Sequence, residues 1–344
     1  MKKYWILSVI GIITLGFAAC GGDDDDEGGG ASGSDVEAGV ITDTDGNKLY
    51  ITSADWMRFD YDSNWQLTGW GDDDYYYFDV SYNPLRWDGT CLEDDYEESV
   101  VFSNFSINES GYATKLTYSL EGYDSYGSDS YTGTYNFTYN SSGQLTKFVV
   151  SGSGKYVNDE GSFSMSGTTT AELTWSNGVI EKIYFIYAGK ENGYSYTEYE
   201  TITYDYGSYE YPNATKQFTN STAEWLWGDY MALCLLGYQG VGPTYLPVSD
   251  TYTAEYEEDG ETYTETQTEK YSYGFNDNGT VKWENWAGDM VYYTYSDGSS
   301  STTAGVRAAT TAESKTSVKT RTRGGMNILR RASLRHRARI AAVK

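Results

Sequence analysis

Along most of this chain, apolar and polar residues change places every second position. "FTYNSSGQLTKFVV", from Phe137, shows the pattern: Phe137 and Tyr139 share one face, Thr138 takes the other, a short polar turn follows, and the alternation resumes. A period of two with an Asn/Asp/Ser/Gly turn predicts an antiparallel hairpin. The phrase recurs as "FDYDSNWQLTGW" from Phe59, "FSINESGYATKLTY" from Phe105, "LTWSNGVIEKIYF" from Leu173 and "YGFNDNGTVKWENW" from Tyr273, and more loosely as "ITYDYGSYEYPNATKQF" from Ile202. With the turns around Asp45-Gly46, Asn158 to Gly161, Asp259-Gly260 and Gly288-Asp289, it predicts roughly nine hairpins, about eighteen strands. "ETYTETQTEKYSYGF" alternates from Glu261 to Phe275, with Thr262, Thr264, Thr266 and Thr268 on one face and Tyr263, Glu265, Gln267 and Glu269 on the other. Neither face is apolar, so water is expected on both sides.

One segment departs from this period. "NSTAEWLWGDYMALCLLG", Asn220 to Gly237, spaces Trp225, Leu226, Tyr230, Leu233 and Cys234 as a helix does. Ser221 with Glu224 three residues on reads as a capping box, and Gly237 stands where a C-terminal cap belongs. Apolar residues cover most of its circumference, which predicts burial against or inside the sheet. The predicted fold class is therefore mainly all-β: an antiparallel hairpin meander of many strands with one buried helix near 221–236. A closed, barrel-like sheet is the first expectation, because closure removes exposed edges, and a long open or two-layer sheet is the second.

Both ends of the chain differ from this body. Residues 1–19 place Lys2 and Lys3 before an apolar run from Tyr4 to Phe17, and Ala18 and Ala19 lead into Cys20. The run is too short for a permanent span and reads as an export signal. A small pair directly before a cysteine resembles a lipoprotein processing site, which implies acylation of Cys20, although Phe17 stands where leucine is commonest. Residues 20–35 follow as a Gly-rich and acidic tether containing Asp23 to Asp26 and Glu27. An acidic block after the lipidated cysteine resembles the surface-export signal of Bacteroidetes lipoproteins. It implies a lipid-anchored protein of the outer membrane that faces the cell exterior, held by acyl chains.

Charge divides the chain at the other end. Residues 1–300 carry 13 basic and 49 acidic side chains, whereas residues 301–344 carry eleven basic and one acidic. The body, residues 36–300, is acidic enough to repel nucleic acid and anionic lipid, and nucleic acid is excluded as a partner. The basic tail 301–344 lacks Phe, Trp and Tyr and is expected to be disordered. The 36 tyrosines and 38 glycines suit half-buried strands with tight turns. Mean hydropathy is −0.58, and the strands lack the consistent apolar row of a lipid-embedded barrel.

The hairpins, the helix after an "NAT" turn and the loop "GYQGVGPTYLPVS" together resemble the uncharacterised β-rich lipoproteins of Bacteroidetes, families with a porin-like or barrel-like sheet. The resemblance covers about residues 40–300. It implies no activity and transfers no functional residue.

Chemistry is bounded mainly by what the body lacks. The one histidine, His336, lies in the tail, so the β-domain has no imidazole base or ligand. "DTDGN", Asp43 to Asn47, starts like a calcium loop, but Gly46 comes too early and a hairpin turn is the better account. No cofactor is implied; an acidic body attracts divalent cations without any motif that indicates one. "WGDDDYYYFD" joins Trp70 to Asp72, Asp73, Asp74 and Tyr75, where a ring face and carboxylates suit a sugar or a cation. A structural strand with an acidic turn is the competing account. Cys91 and Cys234 are placed where export permits a disulfide, and two buried free thiols are the favoured alternative. These features point to a non-catalytic surface binding or scaffold module, with a glycan or another surface protein as partner. A carboxylate-dependent glycosidase and a purely structural surface protein are the alternatives.

Overall fold

In the computed structural model the described residues are 40–298, except 55–56, 73–75, 94–95, 125–126, 159–160, 192–193, 224–227, 259–260 and 287. The signal, the tether with Cys20 and the basic tail lie outside them. The strands run β1 (Val40–Thr42), β2 (Lys48–Ala54), β3 (Met57–Tyr61), β4 (Leu67–Asp72), β5 (Tyr76–Ser81), β6 (Arg86–Glu93), β7 (Tyr96–Ile107) and β8 (Ala113–Asp124). They continue as β9 (Gly127–Tyr139), β10 (Leu145–Asn158), β11 (Gly161–Ser176), β12 (Val179–Glu191) and β13 (Tyr194–Asp205). After β14 (Tyr211–Pro212), α1 (Asn220–Ala223), α2 (Gly228–Leu235) and β15 (Tyr245–Leu246), the chain ends in β16 (Ser249–Glu258), β17 (Glu261–Phe275), β18 (Val281–Trp286) and β19 (Asp289–Ser296).

Each long strand pairs antiparallel with the next, β13 pairs with β16, and β19 pairs back onto β2 through Tyr293↔Ala54 and Tyr295↔Ile51. The result is a closed 16-strand antiparallel barrel, with β1 as a short addition beside β2. Closure satisfies both edges of the meander, as expected. The count is sixteen rather than eighteen.

The repeated turn has one chemistry. Asp43, Asp62, Asn108 and Asn140 each accept, through a side-chain oxygen, the N–H groups two and four residues ahead, at 2.8–3.1 Å. The residue three ahead must be left-handed, and glycine takes that place at Gly46, Gly111 and Gly143. Trp65 takes it at φ 61°, held by stacking on Tyr50 at 4.7 Å and by an indole N–H bond to the Gly298 carbonyl at 3.0 Å. Asp43 therefore caps its own turn.

Alternation sorts the two wall faces. On β11 the outward residues are Ser162, Ser164, Ser166, Thr168, Thr170, Glu172 and Thr174; on β9 they are Ser128, Ser130, Thr132, Thr134, Asn136 and Thr138. Thr264, Thr266, Thr268 and Lys270 continue this face on β17. Such strands do not present the apolar band, about 25 Å tall, of a lipid-embedded barrel. Inward, glycines leave room for rings: a Cβ at Gly133 would meet Tyr118, at Gly154 Tyr131, and at Gly89 Phe78.

Sixteen strands enclose a space too wide for wall side chains alone to fill. The described residues of the segment 206–248, between β13 and β16, fill one end. At α1, the buried Glu284 carboxylate of β18 accepts the Ser221 N–H at 2.8 Å and the Tyr293 O–H at 2.9 Å. Tyr293 in turn accepts the Asn220 N–H at 2.8 Å, and the Ser221 hydroxyl meets Tyr273 at 2.7 Å. From the other side of the segment, Tyr238 packs on Trp87 and Phe105 and its carbonyl accepts the Ala113 N–H at 2.8 Å. The plug thus spans the lumen between opposite walls.

The expected helix is corrected at its N-terminal cap. The described helical residues lie on either side of 224–227, and the cap sits at Thr219 rather than Ser221, because the Ser221 N–H is taken by Glu284 while Thr222 Oγ1 accepts the Thr219 N–H at 2.8 Å. Glu224 lies outside the described residues. The C-terminal expectation holds: Gly237, at φ 79°, donates to the Cys234 carbonyl, and Tyr238 donates to that of Leu233.

Glu284→Ala removes the acceptor of two buried donors. The expected cost is about 1–3 kcal/mol for each group left unsatisfied. Thermal unfolding should shift down by several degrees, and amide exchange should accelerate at residues 219–223 first. An unchanged midpoint with unchanged exchange would show that Glu284 does not hold the plug.

Candidate functional site

Burial along the inner face marks where the plug stops. On β13, Tyr204, Ile202 and Glu200 are buried, and the next inward residues, Glu198 and Tyr196, are half-exposed. On β17 the same change falls between Tyr271, which is buried, and Glu269, Gln267 and Glu265, which are half-exposed, with Tyr263 40% exposed at the far end. On β10 it falls between Gly152 and Gly154, while on β12 the half-exposed Tyr187 lies between the buried Phe185 and Gly189. On these strands the inner face is therefore covered near the plug and partly open to water beyond it, a cup-like sector, whereas Val100, Glu98, Leu120 and Tyr131 on β7 to β9 stay buried at the level of Gly154 and beyond.

Ladder register places the lining of one sector in rows. Tyr204, Asp250 and Glu269 form the row nearest the plug; Ile202, Tyr252 and Gln267 form the next; Glu200, Ala254 and Glu265 the third. From β12, Tyr187 stands opposite Glu198 and donates its O–H to Glu200 at 2.9 Å. Gln267 donates to Glu269 at 2.8 Å. The lysines of these strands, Lys182, Lys190 and Lys270, alternate outward. The sector is consequently acidic and tyrosine-rich on its inner face.

Burial raises the proton affinity of the lower row. Asp250 is pushed up to about 6 by desolvation, opposed by hydrogen bonds from Tyr271 and the Glu269 backbone. Glu269, desolvated and facing Asp250 across the ladder, is also raised. Deeper still, desolvation raises Glu284, against the hydrogen bonds at α1.

The residues singled out in the sequence are distributed differently. Trp70 is 0% exposed, stacked on Phe78 at 4.3 Å and edge-on to Trp87 at 5.6 Å. Its ring faces belong to the core, which corrects the expectation that it stacks on a sugar. Asp72, at the end of β4, is half-exposed; Asp73, Asp74 and Tyr75 lie outside the described residues. Cys234 is a free, buried thiol, so the Cys91–Cys234 disulfide is not formed, and desolvation raises the thiol. Among the described residues no group of three or more His, Cys, Asp or Glu side chains is arranged to hold a metal ion.

Sequence reasoning did not single out Tyr187, Tyr196, Glu198, Tyr252 and Glu265 as a set. The signal was present as "YSYTEYETITYD" beside "ETYTETQTEK", but which alternate faces inward is decided by closure.

Asp250 gives the stability a pH slope of known sign. Its folded pKa lies above the unfolded value of 3.8, so the folded state keeps a proton that the unfolded chain releases. Stability from this group is complete below about pH 4 and is lost as pH rises through about 6. Asp250→Asn should flatten the pH 4–6 slope and raise stability at pH 7 by up to about 3 kcal/mol, read from denaturant midpoints. A slope unchanged by the substitution would refute the assignment.

No protein-family model matches the chain, and no curated protein matches it. Among solved structures it is similar to a porin-like protein from Bacteroides vulgatus ATCC 8482. The alignment covers 75% of this chain and 98% of that one, with 13% identity and a TM-score of 0.41. A porin-like protein from Bacteroides uniformis ATCC 8492 aligns over 75% of this chain and 95% of that one, with 16% identity and a TM-score of 0.37.

Proposed function

We propose that this chain is a lipid-anchored outer-membrane protein, facing the cell exterior, whose barrel stands in water and binds a glycan in its cup without catalysis. The single observation that carries the reading is the half-exposed inner wall of tyrosines and carboxylates above the plug. Tyrosine rings offer apolar contact to sugar C–H groups, and carboxylates and Gln267 supply hydrogen-bond partners for hydroxyls. The pattern of residues 1–35 supports the anchor at Cys20, and the hydroxyl-rich outer wall supports a barrel surrounded by water rather than lipid. The purified protein should be retained on a polysaccharide array, and Tyr252→Ala should weaken retention by about tenfold. Failure to bind any glycan on the array would remove this ligand class.

One observation favours a second reading, a carboxylate-dependent glycosidase. Asp250 and Glu269 stand opposite each other on β16 and β17, and burial raises both. That reading expects hydrolysis within a panel of chromogenic glycosides, lost in Glu269→Gln. An inert panel would leave binding alone.

A further inference from the structure

The described chain enters and leaves the barrel at one place. Val40 of β1 and Ser296 of β19 are both ladder partners of Tyr50, one on each edge of β2. Two strand spacings separate them, about 10 Å. Tyr295 donates its O–H to Gln217 of the plug at 2.9 Å, so this place lies at the plug end. The exit is held there, because the Gly298 carbonyl accepts the Trp65 indole N–H at 3.0 Å. The turn at Asn140 lies at the same end, where Val241 of the plug donates to the Gly143 carbonyl at 2.9 Å.

An anchor at Cys20 is therefore joined to the plug end. To set the other end on a membrane, residues 20–39 would have to run the length of the wall. That is about 45 Å along β10, out of the roughly 70 Å that twenty residues span at most. Charge bears on the same end. The exposed turn residues Asp45, Glu109, Glu210 and Asp277 there, and seven acidic side chains in residues 20–39, are repelled by an anionic surface. The chain beyond Gly298 has the opposite sign, with eleven basic and one acidic side chain in residues 301–344. Eight of the eleven are arginines, whose planar guanidinium groups pair with phosphate oxygens.

We propose that the plug end of the barrel faces the membrane, that residues 301–344 bind the phosphates of anionic lipid headgroups there, and that the half-exposed inner wall opens away from the lipid. The orientation rests on the anchor at Cys20 in the reading above; the phosphate contact does not. No strand of the barrel precedes Val40, so residues 20–344 produced without acyl groups serve for the first test. They are sedimented with vesicles of phosphatidylcholine, alone or mixed with phosphatidylglycerol. The mixed vesicles should bind at least about tenfold more tightly, and the preference should shrink in high salt. Joint replacement Arg330→Gln, Arg331→Gln, Arg335→Gln, Arg337→Gln and Arg339→Gln should abolish it. Lys190→Gln with Lys270→Gln, on the outer wall, should leave it intact. For the orientation, the mature acylated protein on mixed vesicles should show slowed amide exchange in the turns 62–66 and 140–144, and unchanged exchange at residues 122–124 toward the far end.

Equal binding to the two kinds of vesicle, or an equal loss in the lysine variant, would overturn the phosphate contact. So would a failure to bind the mixed vesicles; if the arginine variant then altered exchange in the same turns in solution, the tail would be assigned to the barrel's own acidic turns. Slowed exchange at residues 122–124 in place of the turns would overturn the orientation. Mature protein without acyl groups would overturn the anchor and the orientation together, and the phosphate contact would stand or fall on the vesicles alone.

Discussion

A buried carboxylate at the start of helix α1 holds this architecture in place. Glu284 is 0% exposed and would be costly there if its oxygens lacked donors. Ser221 and Tyr293 supply them, Tyr293 is occupied in turn by Asn220, and Tyr204 donates to the Ser221 carbonyl at 3.2 Å. Three strands of the wall and the plug thereby share one network. Without it the inserted segment would present polar backbone to an apolar wall, and the wide lumen would lose its filling. The depth of the cup, and the level at which inward residues turn from apolar to acidic, follow from where that network fixes α1.

The unusual content of tyrosine and glycine has a mechanical explanation in the same wall. Gly133, Gly152, Gly167 and Gly189 are ladder partners in a row across β9 to β12. Tyr118 lies across the first two, and Tyr196 lies across Gly189. Long rings can thus lie along the sheet rather than stand into the lumen. Their hydroxyls then reach backbone carbonyls: Tyr139 donates to Ala113, Tyr206 to Ile180, Tyr61 to Ile51 and Tyr295 to Val281, at 2.7–2.9 Å. A tyrosine so placed supplies apolar area at its ring and a strand-to-strand bond at its tip.

Local features of this fold were legible because their causes are local. The turn at Asn140 is set by its own side chain and by Gly143, and β17 runs from Glu261 to Phe275 as its alternation predicts. Closure was legible only as an argument about edges, since the β19–β2 register joins residues about 240 positions apart. The helix was half legible: Gly237 announces its own cap, whereas the acceptor that displaces Ser221 from the cap lies 63 residues away. The cup was not legible at all. Alternation separates Tyr263 and Glu265 from Thr264, but only the closed barrel decides which set meets water inside. Trp70 illustrates the converse, because acids beside a tryptophan suggest a surface while the register of β4 with β5 places its ring against Phe78.

Polarity on both faces of the upper wall at β13, β16 and β17 has a consequence for where stability resides. Where β13, β16 and β17 carry hydroxyls outward and carboxylates inward, the sheet gains little from burial, so the apolar term of that sector is concentrated between the lower wall and the plug. That is where Trp70, Trp87, Phe78, Leu116, Ile183 and Leu233 are fully buried. The floor of the cup is the roof of this core, and Tyr204 belongs to both: it is the ladder partner of Asp250 and a donor to α1. Charge at the floor is therefore adjacent, through a single side chain, to the helix that fills the barrel. The inner wall at that level and the retention of the plug are therefore parts of one hydrogen-bonded unit.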